Sequence, residues 1–121
     1  MTIAAADMAI SNGAQVADTP GPDSGTHTVR FATTPKMSTY LVAFIVGQLE
    51  ATKAVYVGKT PLRLWTVPGK QALTPFGLEI AAASLKFFEE YYGIPYPGDK
   101  LDLLAIPDFA SDGSIDANTA R

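Results

Sequence analysis

One histidine and no cysteine limit the chemistry that this chain can perform. The 121-residue sequence contains His27 and no Cys, which excludes disulfides, thiolate nucleophiles and Cys-ligated metals. A Ser-His-Asp triad would have to use His27, which lies between Thr26 and Thr28 in a predicted strand. A single histidine without a motif around it is usually structural or solvated. We therefore expect no catalytic role for His27, and the chain alone cannot supply a zinc site with several imidazole ligands.

The carboxylates of Glu89, Glu90, Asp102 and Asp108 are the remaining candidates for acid-base chemistry. Glu89 and Glu90 are neighbours on a predicted helix, so their side chains point to different faces. Asp102 alternates with apolar neighbours on a predicted strand. These patterns are typical of solvated or capping charges rather than of a general acid and base.

Two further features have a simpler structural interpretation. Residues 58–60 are Gly-Lys-Thr, like the end of a phosphate-binding loop, but Lys53 occupies the position of the earlier glycine that this motif requires. Trp65 is expected to pack in a core or at an interface, because large aromatic side chains bury much apolar area. The same is expected of four tyrosines: Tyr40, Tyr91, Tyr92 and Tyr96.

The composition describes an ordered protein without affinity for nucleic acid. It is 47% apolar, which provides enough surface to offset the ordering entropy. The charge is −3 and no basic run occurs, so a nucleic-acid partner is not expected.

The longest apolar run, residues 40–46, is far shorter than a membrane-spanning helix and predicts a strand buried on both faces. Residues 1–7 lack the features of a signal peptide, which favours a cytoplasmic location.

The first half of the sequence is typical of strands. An Asn12-Gly13 pair between two apolar segments predicts a hairpin, because both residues tolerate positive φ. In residues 62–67, Leu62, Leu64 and Thr66 are expected to face one side of a sheet. Strands are predicted at residues 7–11, 14–17, 26–32, 38–49, 54–57 and 62–67.

The second half changes to a helical period. Thr74 is predicted as the N-cap of a helix over residues 75–92, with Pro75 in its first turn and Gly93 at its end. Its apolar residues cover most of its circumference, which predicts a mostly buried helix with one polar edge. Residues 101–106 form one more strand, and the polar residues 111–121 are predicted as a flexible tail.

The fold class is therefore mainly β with one long helix, an α+β arrangement. A β-rich part precedes the beginning of a mixed part, and the predicted boundary lies near residues 68–73. One helix and one strand are too small for an independent domain. The second part is therefore expected to be the beginning of a longer domain.

Four stretches together resemble one family. They are FATTPKMSTYLVAFIVG at residues 31–47, LRLW at 62–65 with PGK at 68–70, FFEEYYGIPYP at 87–97 and KLDLLAIPDFA at 100–110. The order and spacing are similar to those of the aminopeptidase-N-like zinc metallopeptidases, from Asp7 to Ala110. The resemblance implies that residues 1–68 end a β-rich N-terminal domain. Residues 69–110 would begin a thermolysin-like catalytic domain, and residues 111–121 would be a divergent tail.

The resemblance stops before the family's chemistry begins. In the family a GAMEN motif, which binds the substrate's N-terminus, follows the segment matching residues 106–110. An HExxH motif and a distant Glu then bind zinc. Here residues 113–116 are Gly-Ser-Ile-Asp, either a degraded GAME with Asp116 as a substrate-binding position or unrelated sequence after a truncation or frameshift. The resemblance thus implies zinc and peptide substrates in the parent family, but no bound zinc and no activity in this chain alone.

Three functional hypotheses remain open. The first is a fragment of a zinc aminopeptidase, which would self-associate through exposed apolar faces. The second is a non-catalytic interaction or binding module that kept the same scaffold. The third is a carbohydrate or lipid binder of sandwich type, which only the β-rich first half favours. A cooperative melt as a monomer would distinguish the second from the first.

Overall fold

The computed structural model describes residues 1–106, which divide into two compact units at Leu49/Glu50. The fold class agrees with the prediction, because nine strands and one long helix make up the regular structure of the described residues. Two 3-10 turns cover Thr39–Leu41 and Gln71–Leu73. The strands are β1 (Thr2–Ala4), β2 (Met8–Ser11), β3 (Gln15–Pro20), β4 (Thr26–Phe31), β5 (Phe44–Gly47), β6 (Glu50–Ala51), β7 (Val55–Val57), β8 (Thr60–Thr66) and β9 (Leu101–Ala105), with helix α1 (Thr74–Tyr92) between β8 and β9.

The first unit contains two antiparallel ladders. One is a three-stranded sheet in the order β1-β4-β3, and the other pairs β2 with β5. Ile3, Ala9 and Val29 form its core, and Phe31 packs against them. These side chains come from β1, β2 and β4, so residues distant in sequence share one apolar cluster.

The predicted Asn12-Gly13 hairpin is wrong. Strand β2 pairs with β5 and strand β3 pairs with β4, so the two segments flanking Asn12-Gly13 belong to different ladders. The amide of Asn12 instead bridges to the segment before β5: Nδ2 donates to the Leu41 carbonyl at 3.0 Å, and Oδ1 accepts from the Ala43 N–H at 2.8 Å. Two non-local hydrogen bonds thus replace the local turn.

The predicted buried strand over residues 38–49 is also wrong in part. Residues 39–41 form a 3-10 turn, and only Phe44–Gly47 is a strand. Among residues 1–106 this strand pairs only with β2, and Tyr40 and Phe44 are 72% and 66% exposed. The apolar run therefore remains largely open to solvent in the part of the chain that the structure describes.

The second unit is built around β8. Strands β6 and β7 pair antiparallel with one edge of β8, and β9 pairs parallel with the other edge. Helix α1 connects the two parallel strands, which makes β8-α1-β9 a β-α-β crossover. Leu62, Leu85 and Leu101 form the core between helix and sheet. The predicted alternation in β8 is confirmed, since Leu62, Leu64 and Thr66 are all buried.

The two ends of α1 differ in how well the sequence predicted them. Thr74 is not the N-cap: it is the first helical residue, and its hydroxyl donates to the Gln71 carbonyl at 2.7 Å. A 3-10 turn thus leads directly into the helix. Gly93 ends the helix as predicted, with a left-handed φ of 67° and an N–H that donates to the Glu89 carbonyl at 3.0 Å.

Helix α1 is mostly exposed, contrary to the prediction. Only Thr74 and Leu85 are buried, whereas Phe87 and Tyr91 are 58% and 71% exposed. The sheet of the second unit covers one side of the helix and leaves these aromatic side chains largely exposed. Within the same range, no helix combines the length and apolar character that a membrane crossing requires.

The two compact units do not divide where the sequence changes period. The sequence changes period near residues 68–73, whereas the units meet at Leu49/Glu50, because β8 pairs with β9 and groups with the helix that follows it. The assignment of residues 1–68 and 69–110 to two domains of a longer protein remains a prediction.

Candidate functional site

His27 is held by a carboxylate on the neighbouring strand. Its Nδ1 lies 2.6 Å from Asp18 Oδ1, and its Nε2 lies 3.1 Å from the Asp7 carbonyl oxygen. Both ring nitrogens therefore face acceptors, which favours the doubly protonated ring. The hydrogen bond to Asp18 is the largest cause that raises the pKa of His27 above its ordinary value.

This geometry is structural rather than catalytic. In a Ser-His-Asp triad, one ring nitrogen accepts the hydroxyl proton of the nucleophile while the other binds the carboxylate. At His27 the nitrogen opposite Asp18 faces a main-chain carbonyl, which can only accept. The ring thus fixes β4 to its surroundings and is not placed to act as a general base.

Asp102 is buried, which corrects the prediction of a solvated or capping charge. Its Oδ1 accepts from Trp65 Nε1 at 2.8 Å, and its Oδ2 forms an ion pair with Lys100. The side chains of Asp102 and Lys100 are only 7% and 14% exposed. Because both carboxylate oxygens have partners, Asp102 fixes β9 against β8 and is not a free acid or base. The alternation of β9 could not predict this, since the partner indole lies on another strand.

Glu89 and Glu90 have separate structural roles. Glu89 Oε1 accepts from the Tyr96 N–H at 2.8 Å, so this carboxylate ties the turn after α1 to the last helical turn. Glu90 lies 3.9 Å from Lys86 on the exposed face of the helix. These positions agree with one capping and one solvated charge. Asp108 and Asp116 lie outside the described residues.

The donor set does not fit a zinc site of the HExxH kind. Such a site needs two imidazoles and a carboxylate, and the whole sequence has one His. Within residues 1–106, no three His, Cys, Asp or Glu side chains lie close enough together to hold a metal ion. We therefore assign no step of any reaction to a metal bound by this chain.

A cavity of about 430 Å³ lies at the carboxyl ends of β8 and β9, beside the first turn of α1. The carboxyl ends of parallel strands are where ligands commonly bind in open α/β sheets. Thr66 lies in its wall, together with Lys70 and Gly77. Sequence reasoning missed this site, although the strand-helix-strand order of residues 62–106 could have suggested it. The apolar wall is formed by Leu64, Val67, Leu73, Phe76, Leu103, Leu104, Ala105 and Ile106.

A second, larger concavity of about 630 Å³ lies at the other end of α1. The end of the helix and the turn after β7 line it, including Tyr56, Glu89 and Ile94. Glu89 there already accepts a hydrogen bond from the Tyr96 main chain. Lys86 and Glu90, which also line it, pair with each other at 3.9 Å on the exposed face of the helix.

The chain is similar to several curated proteins that are aminopeptidases by name. The chain is 42% identical over 102 residues to a puromycin-sensitive aminopeptidase of Caenorhabditis elegans, which covers 84% of this chain and 11% of the relative. It is 49% identical over 83 residues to aminopeptidase M1-A of Oryza sativa subsp. japonica, which covers 69% and 10%. It is 43% identical over 81 residues to endoplasmic reticulum aminopeptidase 1 of Homo sapiens, which covers 67% and 9%.

No family model matches the chain. The chain spans about a tenth of the length of the curated relatives it matches. All three relatives are aminopeptidases by name, and each shared segment covers two thirds or more of this chain. In the segment that it shares with them, the chain belongs to the aminopeptidase-N-like family.

Proposed function

We propose that this chain is a segment of a zinc-dependent aminopeptidase, a hydrolase that removes N-terminal residues from peptides. The observation that carries this is the identity of 42–49% to aminopeptidases over 67–84% of the chain. The segment would span the end of the β-rich N-terminal domain and the beginning of the thermolysin-like catalytic domain. Zinc and peptide substrates would belong to the parent protein.

The role of the segment in that protein is structural. Its carboxylates at Glu89 and Asp102 are already engaged in hydrogen bonds that hold the helix end and the parallel strands. Its histidine is engaged by Asp18 and a main-chain carbonyl. We infer that its β-α-β frame joins the end of the N-terminal domain to the beginning of the catalytic domain and that this chain by itself is inactive.

Hydrolysis of aminoacyl chromogenic substrates by the purified chain tests this proposal. The expected result is no turnover with or without added zinc, and no stoichiometric zinc after dialysis. Turnover that a chelator abolishes would contradict the inactivity. A mock purification from host cells that lack the chain is the control, because it measures the turnover that contaminating host peptidases contribute.

A non-catalytic interaction module with the same scaffold is the second candidate. The two apolar clusters, around Val29 and around Leu62, favour it because each unit has some core of its own. A module of this kind should sediment as a monomer and melt cooperatively. A segment of a larger domain should associate, because the aromatic face of α1 is exposed.

A further inference from the structure

The cavity at the carboxyl ends of β8 and β9 combines a buried hydroxyl, a positive charge and an apolar wall. We propose that it binds a small carboxylate with an apolar tail, such as a medium-chain fatty acid. The carboxylate would lie at Thr66 and the first turn of α1, and the tail would lie against the leucine-rich wall. The proposal goes beyond the proposed function and does not depend on it.

Thr66 is the first reason to expect a ligand. The residue is 2% exposed and lines the cavity, on the same side of β8 as Leu62 and Leu64. Its hydroxyl is buried and has no hydrogen-bond partner in the described part of the chain. An unsatisfied buried hydroxyl costs about 1–3 kcal/mol. A ligand oxygen that reaches this hydroxyl, which is closed to solvent in the structure, would accept a hydrogen bond from Thr66 and remove that cost.

The charges around the cavity favour a ligand of one sign of charge. The first turn of α1 contributes Thr74 and Phe76 to the wall, and the amino end of a helix carries a partial positive charge. Lys70, in the segment just before the helix, adds a full positive charge. The described lining contains no Asp or Glu. An anionic group is therefore favoured over a cationic one.

The rest of the cavity wall is apolar and favours a ligand with an apolar tail. On the sheet side, Leu64 and its register partner Leu103 line the cavity from one face of the sheet. On the helix side Gly77 lets α1 approach β8 closely, because a Cβ at this position would lie 2.9 Å from Leu64 Cδ1. A mostly apolar cavity of this volume with a few convergent polar groups matches the general character of small-molecule sites.

An amide-resolved NMR titration of the full 121-residue chain with sodium octanoate tests the proposal. The expected result is a set of saturable shifts at Thr66, Phe76, Gly77 and residues 104–106. Octylammonium, which has the same tail and the opposite charge, should bind at least about tenfold more weakly. Non-saturating shifts, or shifts confined to the exposed Phe87 and Tyr91, would overturn the proposal because they indicate surfactant-like adsorption. Equal affinity for the two ligands would overturn it as well.

Matched variants identify the groups involved. Thr66→Val keeps the shape of the side chain and removes its hydroxyl, so the Kd for octanoate should rise about tenfold, as expected for one lost hydrogen bond. Lys70→Gln should raise the Kd about threefold, and Lys59→Gln, in the turn at the other end of β8, should leave it unchanged. Unchanged affinity in both Thr66→Val and Lys70→Gln contradicts the site. If Thr66→Val fails to fold, Lys70→Gln and the comparison of the two ligands still decide the question.

Discussion

At the scale of single residues, His27, Asp102 and Gly13 have structural roles that follow from charge and from close contact. His27 binds Asp18 and a main-chain carbonyl, and Asp102 binds an indole and an ammonium group. Gly13 lets two segments of main chain approach, because a Cβ there would lie 2.4 Å from the Ala32 carbonyl oxygen. These contacts stabilise the fold and leave no reactive group free among them.

The His27–Asp18 pair makes stability depend on pH. Because the hydrogen bond to Asp18 raises the pKa of His27 in the folded state, its contribution is fully present below the unfolded value of about 6.5. The contribution is lost as pH rises through the folded pKa. The single histidine gives one NMR titration curve, whose midpoint should lie above 6.5. Asp18→Asn should lower this midpoint, whereas Asp23→Asn, a carboxylate in the adjacent loop, should not. An unchanged midpoint in Asp18→Asn would show that the pair is not formed in solution.

Gly13 and Gly47 provide a matched pair of substitutions in one unit. Gly13→Ala should lower the free energy of unfolding by about 1–3 kcal/mol, because the new Cβ meets a main-chain oxygen that has little room to move. Gly47→Ala should change it by less than about 0.5 kcal/mol, since no atom lies within 4 Å of the position of its Cβ. Urea denaturation measures both. Equal effects at the two positions would contradict the close approach at Gly13.

At the scale of elements, β8, α1 and β9 form the frame of the second unit. Residues Leu62 to Thr66 pair in parallel with residues Leu101 to Ala105, and α1 crosses from one strand to the other. The ion pair of Asp102 with Lys100 and the hydrogen bond to Trp65 lie within this frame. Removing one member of a buried pair leaves a charged or polar group without its partner in a poorly solvated place.

Asp102 and Glu90 test this difference between buried and exposed charges. Asp102→Ala should lower the free energy of unfolding by about 3 kcal/mol, because the Trp65 and Lys100 groups lose a buried acceptor. Glu90→Ala, in the exposed pair with Lys86, should lower it by less than about 0.5 kcal/mol. Denaturation followed by the fluorescence of Trp65, the only tryptophan, measures both variants. A small loss in Asp102→Ala would mean that the pair is solvated.

At the scale of the whole molecule, many large apolar side chains are exposed to solvent in the described part of the chain. The second half of α1 presents Phe87, Phe88, Tyr91 and Tyr92, whose rings contact one another in stacked and edge-to-face pairs. Contiguous exposed apolar patches usually mark an interaction surface or an aggregation liability. The matched segments cover only 9–11% of the relatives, which supports the proposal that further protein covers this face in the parent protein.

Self-association through α1 follows from this exposure. A double variant, Phe87→Gln with Tyr91→Gln, should lower both the sedimentation coefficient at high concentration and the fluorescence of a hydrophobic dye, because it removes one stacked pair. Lys86→Gln with Glu90→Gln changes the same helical turns without changing apolar area, and should leave both readouts unchanged. A wild-type chain that remains monomeric and binds no dye would argue against this association and favour the module.

The amino-acid sequence by itself determined the strand-rich composition, the single helix, its glycine end and the family. The period of two in β8 and the helical pattern that ends at Gly93 are local features of the sequence. The family follows from identities that add up along the chain. Tertiary structure decided the partner of β2, the burial of Asp102 and the cavity beside Thr66. Each of these depends on segments 30 or more residues apart, such as β8 and β9. Local periodicity does not specify which distant strands pair, because pairing is chosen by the apolar area and hydrogen bonds that the assembled sheet satisfies.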